Sequence, residues 1–136
     1  MKDYKKVLMG IGILFIFLSL SLFVKGLIPS MAEFKVPTEV LNSPHYYDAI
    51  LWVYVHMIVL GILIFLLGYA VTDPKKQQAI TLLLFFITCA YTYLDFRSSD
   101  SALGNGLYQG ESSVIPAFIS LLVNIVLLQL WVRNRK

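Results

Sequence analysis

The sequence predicts an all-α membrane protein, a four-transmembrane-helix antiparallel bundle with its N and C termini cytoplasmic. Three observations predict it. The 136 residues are 58% hydrophobic and only 14% charged, with mean hydropathy +0.75, whereas ordinary globular domains are about 25% charged. The apolar residues gather into four stretches, about residues 7–24, 49–71, 79–94 and 114–132, which predict helices over about 7–24, 44–71, 79–96 and 114–132. The basic residues fall between them in alternation, mostly on one side. A span needs roughly 17–25 helical residues to cross a hydrocarbon core of about 30 Å. Continuous apolar runs lack the period-two pattern of a membrane barrel, so helices are the element that satisfies every backbone amide in lipid.

The first stretch follows Lys2, Lys5 and Lys6 and has the look of a signal peptide. It is followed by Val24-Lys25-Gly26-Leu27 rather than by a small-residue cleavage site, and about 18 apolar residues exceed a usual signal core. A retained helix is expected. The outer connection, residues 25–43, is divided by Pro29 and Pro37 and ends at Pro44. Ser30 and Glu33 stand at capping-box spacing beside apolar Met31, Phe34 and Val36, which predicts a short interfacial helix or turn. Ser43-Pro44 reads as an N-cap followed by proline at the first helical position. The second helix then runs over residues 44–71, roughly 42 Å at 1.5 Å per residue. That exceeds the bilayer core, so one outer turn, with His45, Tyr46, Tyr47 and Asp48, is expected at headgroup level. Gly61 and Gly68, seven apart, mark a close-packing seam; Gly10 and Gly12 favour close contact on the first helix.

Thr72-Asp73-Pro74-Lys75-Lys76 is a short turn, which predicts that the second and third helices are antiparallel neighbours. The third stretch is the shortest and spans only with Asp95 and Phe96 at the interface. The second outer connection, residues 97–113, is rich in serine and carries Gly104, Gly106 and Gly110, and reads either as a surface loop or as a cap over the bundle mouth. The fourth helix closes the chain.

Charge sets the expected orientation. Of the eleven basic residues, eight (Lys2, Lys5, Lys6, Lys75, Lys76, Arg133, Arg135 and Lys136) share one side under an even number of spans. The positive-inside rule places that side in the cytoplasm. Glu33, Glu39, Asp48, Asp95, Asp100 and Glu111 fall opposite. The net charge of +3 is thus topology, and no nucleic-acid partner is implied. The single cysteine, Cys89, allows no intramolecular disulfide and no CxxC pair, which excludes the four-helix, quinone-linked disulfide-forming enzymes.

Polar side chains concentrate in the outer half, on stripes at helical spacing. They are Asp48, Trp52 and His56 on the second helix; Thr88, Tyr91 and Asp95 on the third; Pro116, Ser120 and Asn124 on the fourth. An ionisable residue inside a span is a functional candidate that should face the protein interior, which singles out His56. The alternative for His56 is a neutral imidazole with one structural hydrogen bond, and histidine is the ionisable side chain most readily kept neutral. Arg97 has the planar fork that grips a phosphate or carboxylate headgroup; its alternative is a structural ion pair near Asp95 and Asp100. Tyr91 reads equally as a belt aromatic, and Asn124 as an interhelical hydrogen-bonding group. His45 and His56 are some 16 Å apart along one helix, so neither a metal nor a bis-histidine haem is expected, and no cofactor is assigned. There is no nucleophile motif, phosphate-cradling glycine loop or HExxH.

In length, four spans, a proline-bearing first outer loop and a glycine-marked second helix (Gly61, Gly68), the chain resembles the small four-helix membrane proteins of the DoxX-like type. The resemblance implies an architecture and transfers no functional residue. The expected function is therefore binding. An outward-open pocket lined by Asp48, Trp52, His56, Tyr91, Asp95, Arg97 and Asn124 would take a lipid-like or small amphiphilic ligand, or the chain would serve as an accessory subunit, in a homo-oligomer or larger complex of the cell (inner) membrane. Two further expectations stand beside it: a membrane-embedded enzyme on a lipid-like substrate with His56 as base, and an oligomeric transporter or channel.

Overall fold

Each long apolar run becomes a helix, and the breaks fall where backbone chemistry dictates. The computed structural model describes residues 3–33, 38–99 and 114–134, and among these the chain forms six helices and no strand: α1 Tyr4–Lys25, α2 Leu27–Glu33, α3 Thr38–Leu41, α4 Pro44–Ala70, α5 Pro74–Ser99 and α6 Val114–Arg133. Four of them, α1, α4, α5 and α6, are long and apolar enough to cross a membrane. The glycine-rich segment expected as a loop or cap falls, from residue 100 to 113, outside the described residues.

Gly26 separates α1 from α2 because it sits at φ 90°, and its N–H donates to the Phe23 carbonyl at 3.2 Å; that left-handed φ favours glycine. The expected short outer helix is α2, but Ser30 does not cap it. Ser30 lies inside the helix, fully buried, and its hydroxyl donates back to the Leu22 carbonyl at 3.4 Å. The spacing to Glu33 is therefore coincidental, since Glu33 ends the helix rather than occupying its first turn. Met31 of α2 and Leu41 of α3 are buried beneath Val40, Tyr46, Ile50 and Tyr54, so these short helices are pinned to the N-terminal half of α4. Phe34 and Val36 lie outside the described residues.

Ser43 occupies the N-cap of α4 in extended conformation with Pro44 next, but it caps through its backbone. The Ser43 carbonyl accepts from the Tyr46 and Tyr47 amides, both at 3.1 Å. The third long helix begins five residues before the expected residue 79. Asp73 is the reason: its Oδ1 accepts from the Lys75 and Lys76 amides at 2.8 and 3.1 Å, and its carbonyl accepts from Gln77 at 2.9 Å. Aspartate followed by proline is a strong helix start, and at 26 residues α5 has ample length to span. Asp73→Ala is expected to cost about 1 kcal/mol and to speed hydrogen exchange at the Lys75 and Lys76 amides before the rest of α5.

The long helices pack as two antiparallel pairs, α1 with α4 and α5 with α6. Between α1 and α4 the seam is glycine. A methyl on Gly12 would stand 2.6 Å from the Gly61 carbonyl oxygen, and one on Gly68 would stand 2.8 Å from Leu8 Cβ. At the lysine-rich end Tyr4 is fully buried with its hydroxyl 3.4 Å from the Leu67 carbonyl, and Lys5 Nζ lies 4.6 Å from the Tyr69 ring centre. One apolar cluster joins the pairs: Tyr4, Leu8 and Ile11 of α1, Ile64 of α4, Leu84 of α5, and Val123, Leu127 and Leu130 of α6. The helices expected to be neighbours from their short connection, α4 and α5, scarcely touch. The short turn limits how far apart their ends stand, but the glycine seam draws α4 to α1 and a polar ladder draws α5 to α6.

Candidate functional site

The polar ladder between α5 and α6 occupies the half of the pair remote from the lysine-rich end. Asn124 of α6 is buried and joins two threonines of α5, which are themselves 1% and 8% exposed for Thr88 and Thr92. Its Nδ2 donates to Thr92 Oγ1 at 2.7 Å, and its Oδ1 accepts from the Thr88 hydroxyl. Thr92 in turn donates to the Thr88 carbonyl at 2.9 Å, while Thr88 Oγ1 also lies 2.9 Å from the Leu84 carbonyl. A threonine has one proton to give, so the Leu84 carbonyl and Asn124 Oδ1 compete for the Thr88 hydroxyl.

One turn further out, Ser120 of α6 donates to Asp95 of α5. Phe96 and Phe118 meet edge-to-face beside them, with ring centres 5.9 Å apart. Arg97 is exposed, and its Nη1 donates to the Tyr93 hydroxyl at 3.3 Å. The rim of the α5–α6 pair therefore carries a carboxylate, a guanidinium, a phenol and a hydroxyl above an apolar wall.

Asp48, Trp52 and His56 stand elsewhere. All three are exposed, on the side of α4 that faces away from α1. At about 100° per residue, Trp52 lies roughly 180° and His56 roughly 140° around the helix from Gly61. His56 Nδ1 is 2.8 Å from the Trp52 carbonyl oxygen, and the two rings lie 5.3 Å apart at 33°. A carbonyl oxygen only accepts, so Nδ1 carries the proton. In the neutral ring Nε2 is then a bare acceptor, on an exposed side chain.

The structure thus brings together Asn124, Asp95 and, at the rim, Arg97, but it does not bring Asp48, Trp52 or His56 to them. Tyr91, 43% exposed, also points outward. Its place in the ladder belongs to Thr92. From Thr88, Tyr91 is rotated by about −60° and Thr92 by about +40°, so spacing alone admitted both, and the neighbour across the helix pair selects. Ser120 was on the expected stripe of α6, while Pro116 at its head is exposed. Sequence reasoning missed Thr92; the signal for it was the pair Thr88 and Thr92 at i, i+4 opposite an asparagine. Among the described residues no three His, Cys, Asp or Glu side chains gather closely enough to hold a metal ion.

Two surfaces result. The α5–α6 ladder is a hydrogen-bonded fastener with a charged rim; the N-terminal half of α4 carries an exposed aromatic and polar face with an acceptor and, in the Trp52 indole, a donor. No family model, curated protein or solved structure matches the chain.

Proposed function

We propose that the chain is a multi-pass protein of the cell (inner) membrane, with both termini cytoplasmic, on the plan of the DoxX-like group. It works as a binding or accessory subunit whose recognition surface is the outer-half face of α4. The orientation rests on the eight basic residues that share one side. The observation that carries the function is His56. It lies midway along a 27-residue helix, about 18 Å from Pro44 at 1.5 Å per residue, and it is exposed on the chain's outer surface. A polar group at that depth facing lipid is costly, and such groups characteristically face protein or ligand. α4 is also the least covered of the four long helices: 11% of its most apolar stretch is buried, against 22%, 22% and 28% for α1, α5 and α6.

A lipid-like or small amphiphilic ligand finds its support at the rim, where Arg97 and Tyr93 stand at headgroup level beside Asp95 and Ser120. The enzymatic reading has less support, because the carboxylates that could assist His56 stand away from it, Asp95 on the other helix pair and Asp48 about 12 Å along α4.

A photoreactive benzophenone side chain in place of Val59, on the same face of α4, tests the reading in native membranes. A discrete adduct is expected, diminished at least several-fold by His56→Leu. The same group in place of Leu83, exposed on α5, is expected to label lipid diffusely. Diffuse labelling at both positions overturns the proposal.

A further inference from the structure

The face of α4 that carries His56 has two properties that narrow its occupant. The first is depth. His56 lies near the middle of α4, and a hydrocarbon core of about 30 Å puts lipid headgroups roughly 15 Å from the midplane. A headgroup donor does not reach His56 Nε2, whereas a side chain of a spanning helix does. The second is self-complementarity. One turn from the His56 acceptor, on the same side, stands the indole N–H of Trp52, whose side chain is 66% exposed. Among the described residues neither the indole N–H nor Nε2 has a hydrogen-bond partner. A face with one unpaired donor and one unpaired acceptor, a turn apart, satisfies both when it meets its own copy across a two-fold axis, where residue i meets j and j meets i.

We propose that two copies of this chain pair through α4, with the Trp52 indole N–H of each donating to His56 Nε2 of the other. Copies inserted with the same topology place their α4 helices parallel. The face has the spacing that such packing needs: Trp52, His56, Val59, Leu63, Leu66 and Ala70 follow at intervals of four and three, and all are exposed. That is a 3.5-residue repeat, the seam of a left-handed helix pair. In that packing each side chain sits among four residues of the facing helix, which brings Trp52 against the partner's His56. His56 is the polar member of an otherwise apolar seam, so it sets the register, as single polar residues do in coiled coils. The glycine face of α4 is already used by α1, whereas this face is uncovered.

The pairing rests on the α4 reading above, and the test separates the two. The full chain, labelled with a donor or an acceptor fluorophore at Cys89→Ala, Asn134→Cys, is reconstituted in vesicles of phosphatidylethanolamine and phosphatidylglycerol, and energy transfer is followed against protein-to-lipid ratio. Wild type is expected to show saturable dimer transfer. Trp52→Phe, which keeps the ring and removes the N–H, and His56→Leu are each expected to weaken association about tenfold, from the loss of two interhelical hydrogen bonds. The double variant is expected to be no weaker than either single one, because each substitution removes the same pair of bonds. Trp52 and His56 are both exposed, and unchanged thermal midpoints of all three variants verify that the fold is kept. Transfer no greater than random proximity in wild type overturns the pairing, as does a dimer indifferent to both substitutions. If the benzophenone adduct at Val59 is discrete but its mass is not twice that of the chain, the α4 face is a binding surface for another molecule and self-pairing is wrong.

Discussion

Gly61→Leu is expected to destabilise the protein by about 3 kcal/mol or more, at or beyond the upper end of the usual overpacking range. The reason is that two of the three nearest atoms are backbone. A Cβ at Gly61 would stand 2.8 Å from the Gly12 carbonyl oxygen, 2.8 Å from Ile16 Cγ1 and 3.1 Å from the Ile16 amide nitrogen, and the reciprocal position at Gly12 is tighter still, 2.6 Å from the Gly61 carbonyl oxygen. A flexible side chain can rotate away from such an approach, but a helix backbone can only withdraw as a unit. Withdrawal of α1 would also loosen Gly68 from Leu8 and the Tyr4 hydroxyl from the Leu67 carbonyl. Without a hydrophobic force between helices in lipid, close van der Waals packing is what holds such pairs, so the loss is not recovered elsewhere. Gly10 is the control. Nothing lies within 4 Å of a methyl built there, and Gly10→Ala is expected to be neutral or to stabilise by up to about 1 kcal/mol through helix propensity. Unfolding in mixed micelles measures both. Equal stability of Gly61→Leu and wild type would show that the seam is not a close contact.

Asn124→Ala is expected to cost about 1–2 kcal/mol, the upper range for interhelical hydrogen bonds in a membrane plus a small cavity. The cost is bounded because both threonines keep acceptors in their own helix: Thr88 has the Leu84 carbonyl at 2.9 Å and Thr92 has the Thr88 carbonyl at 2.9 Å. Thr92→Val alone is expected to cost as much or more, since it strands the Asn124 amide in a dry interface. The triple change Thr88→Val, Thr92→Val and Asn124→Leu should recover most of the loss, because replacing all the partners by apolar groups of similar shape leaves nothing unsatisfied. Additive losses in the triple variant would instead mean that the three side chains do not act as one unit. The readout is again the unfolding midpoint, with the separation of α5 from α6 followed by a spin-label pair on the two helices.

Much of the fold was legible because helix formation in an apolar solvent is a local matter. Apolar length and proline placement located four spans, and the ends that moved did so for local reasons: Asp73-Pro74 starts α5 earlier than hydropathy does, and Gly26 ends α1. Ser30 misled because capping-box spacing also arises inside a helix, and only its burial against α1 distinguishes the two. The candidate site was legible in composition but not in arrangement. Asn124, Asp95 and Arg97 belong to one pair of helices, Trp52 and His56 to the outside of another. Trp52 lies about half a turn from Gly61, so once the glycine face, rather than the polar stripe, wins the contact with α1, Trp52 and His56 face away from the bundle.

What the sequence by itself determined is therefore an all-helical chain with four stretches able to cross a membrane, and which residue types lie at each depth along them. Depth is a one-dimensional property, set by residue number and the rise of the helix. Which way each stripe points was decided by tertiary structure alone. Rotation of a helix about its axis is chosen by whichever face packs best against its neighbours, and on α4 backbone contact at Gly12 and Gly61 outweighs the burial of one imidazole. That choice turned a set of residues expected to line one pocket into a buried fastener on α5 and α6 and an open aromatic face on α4.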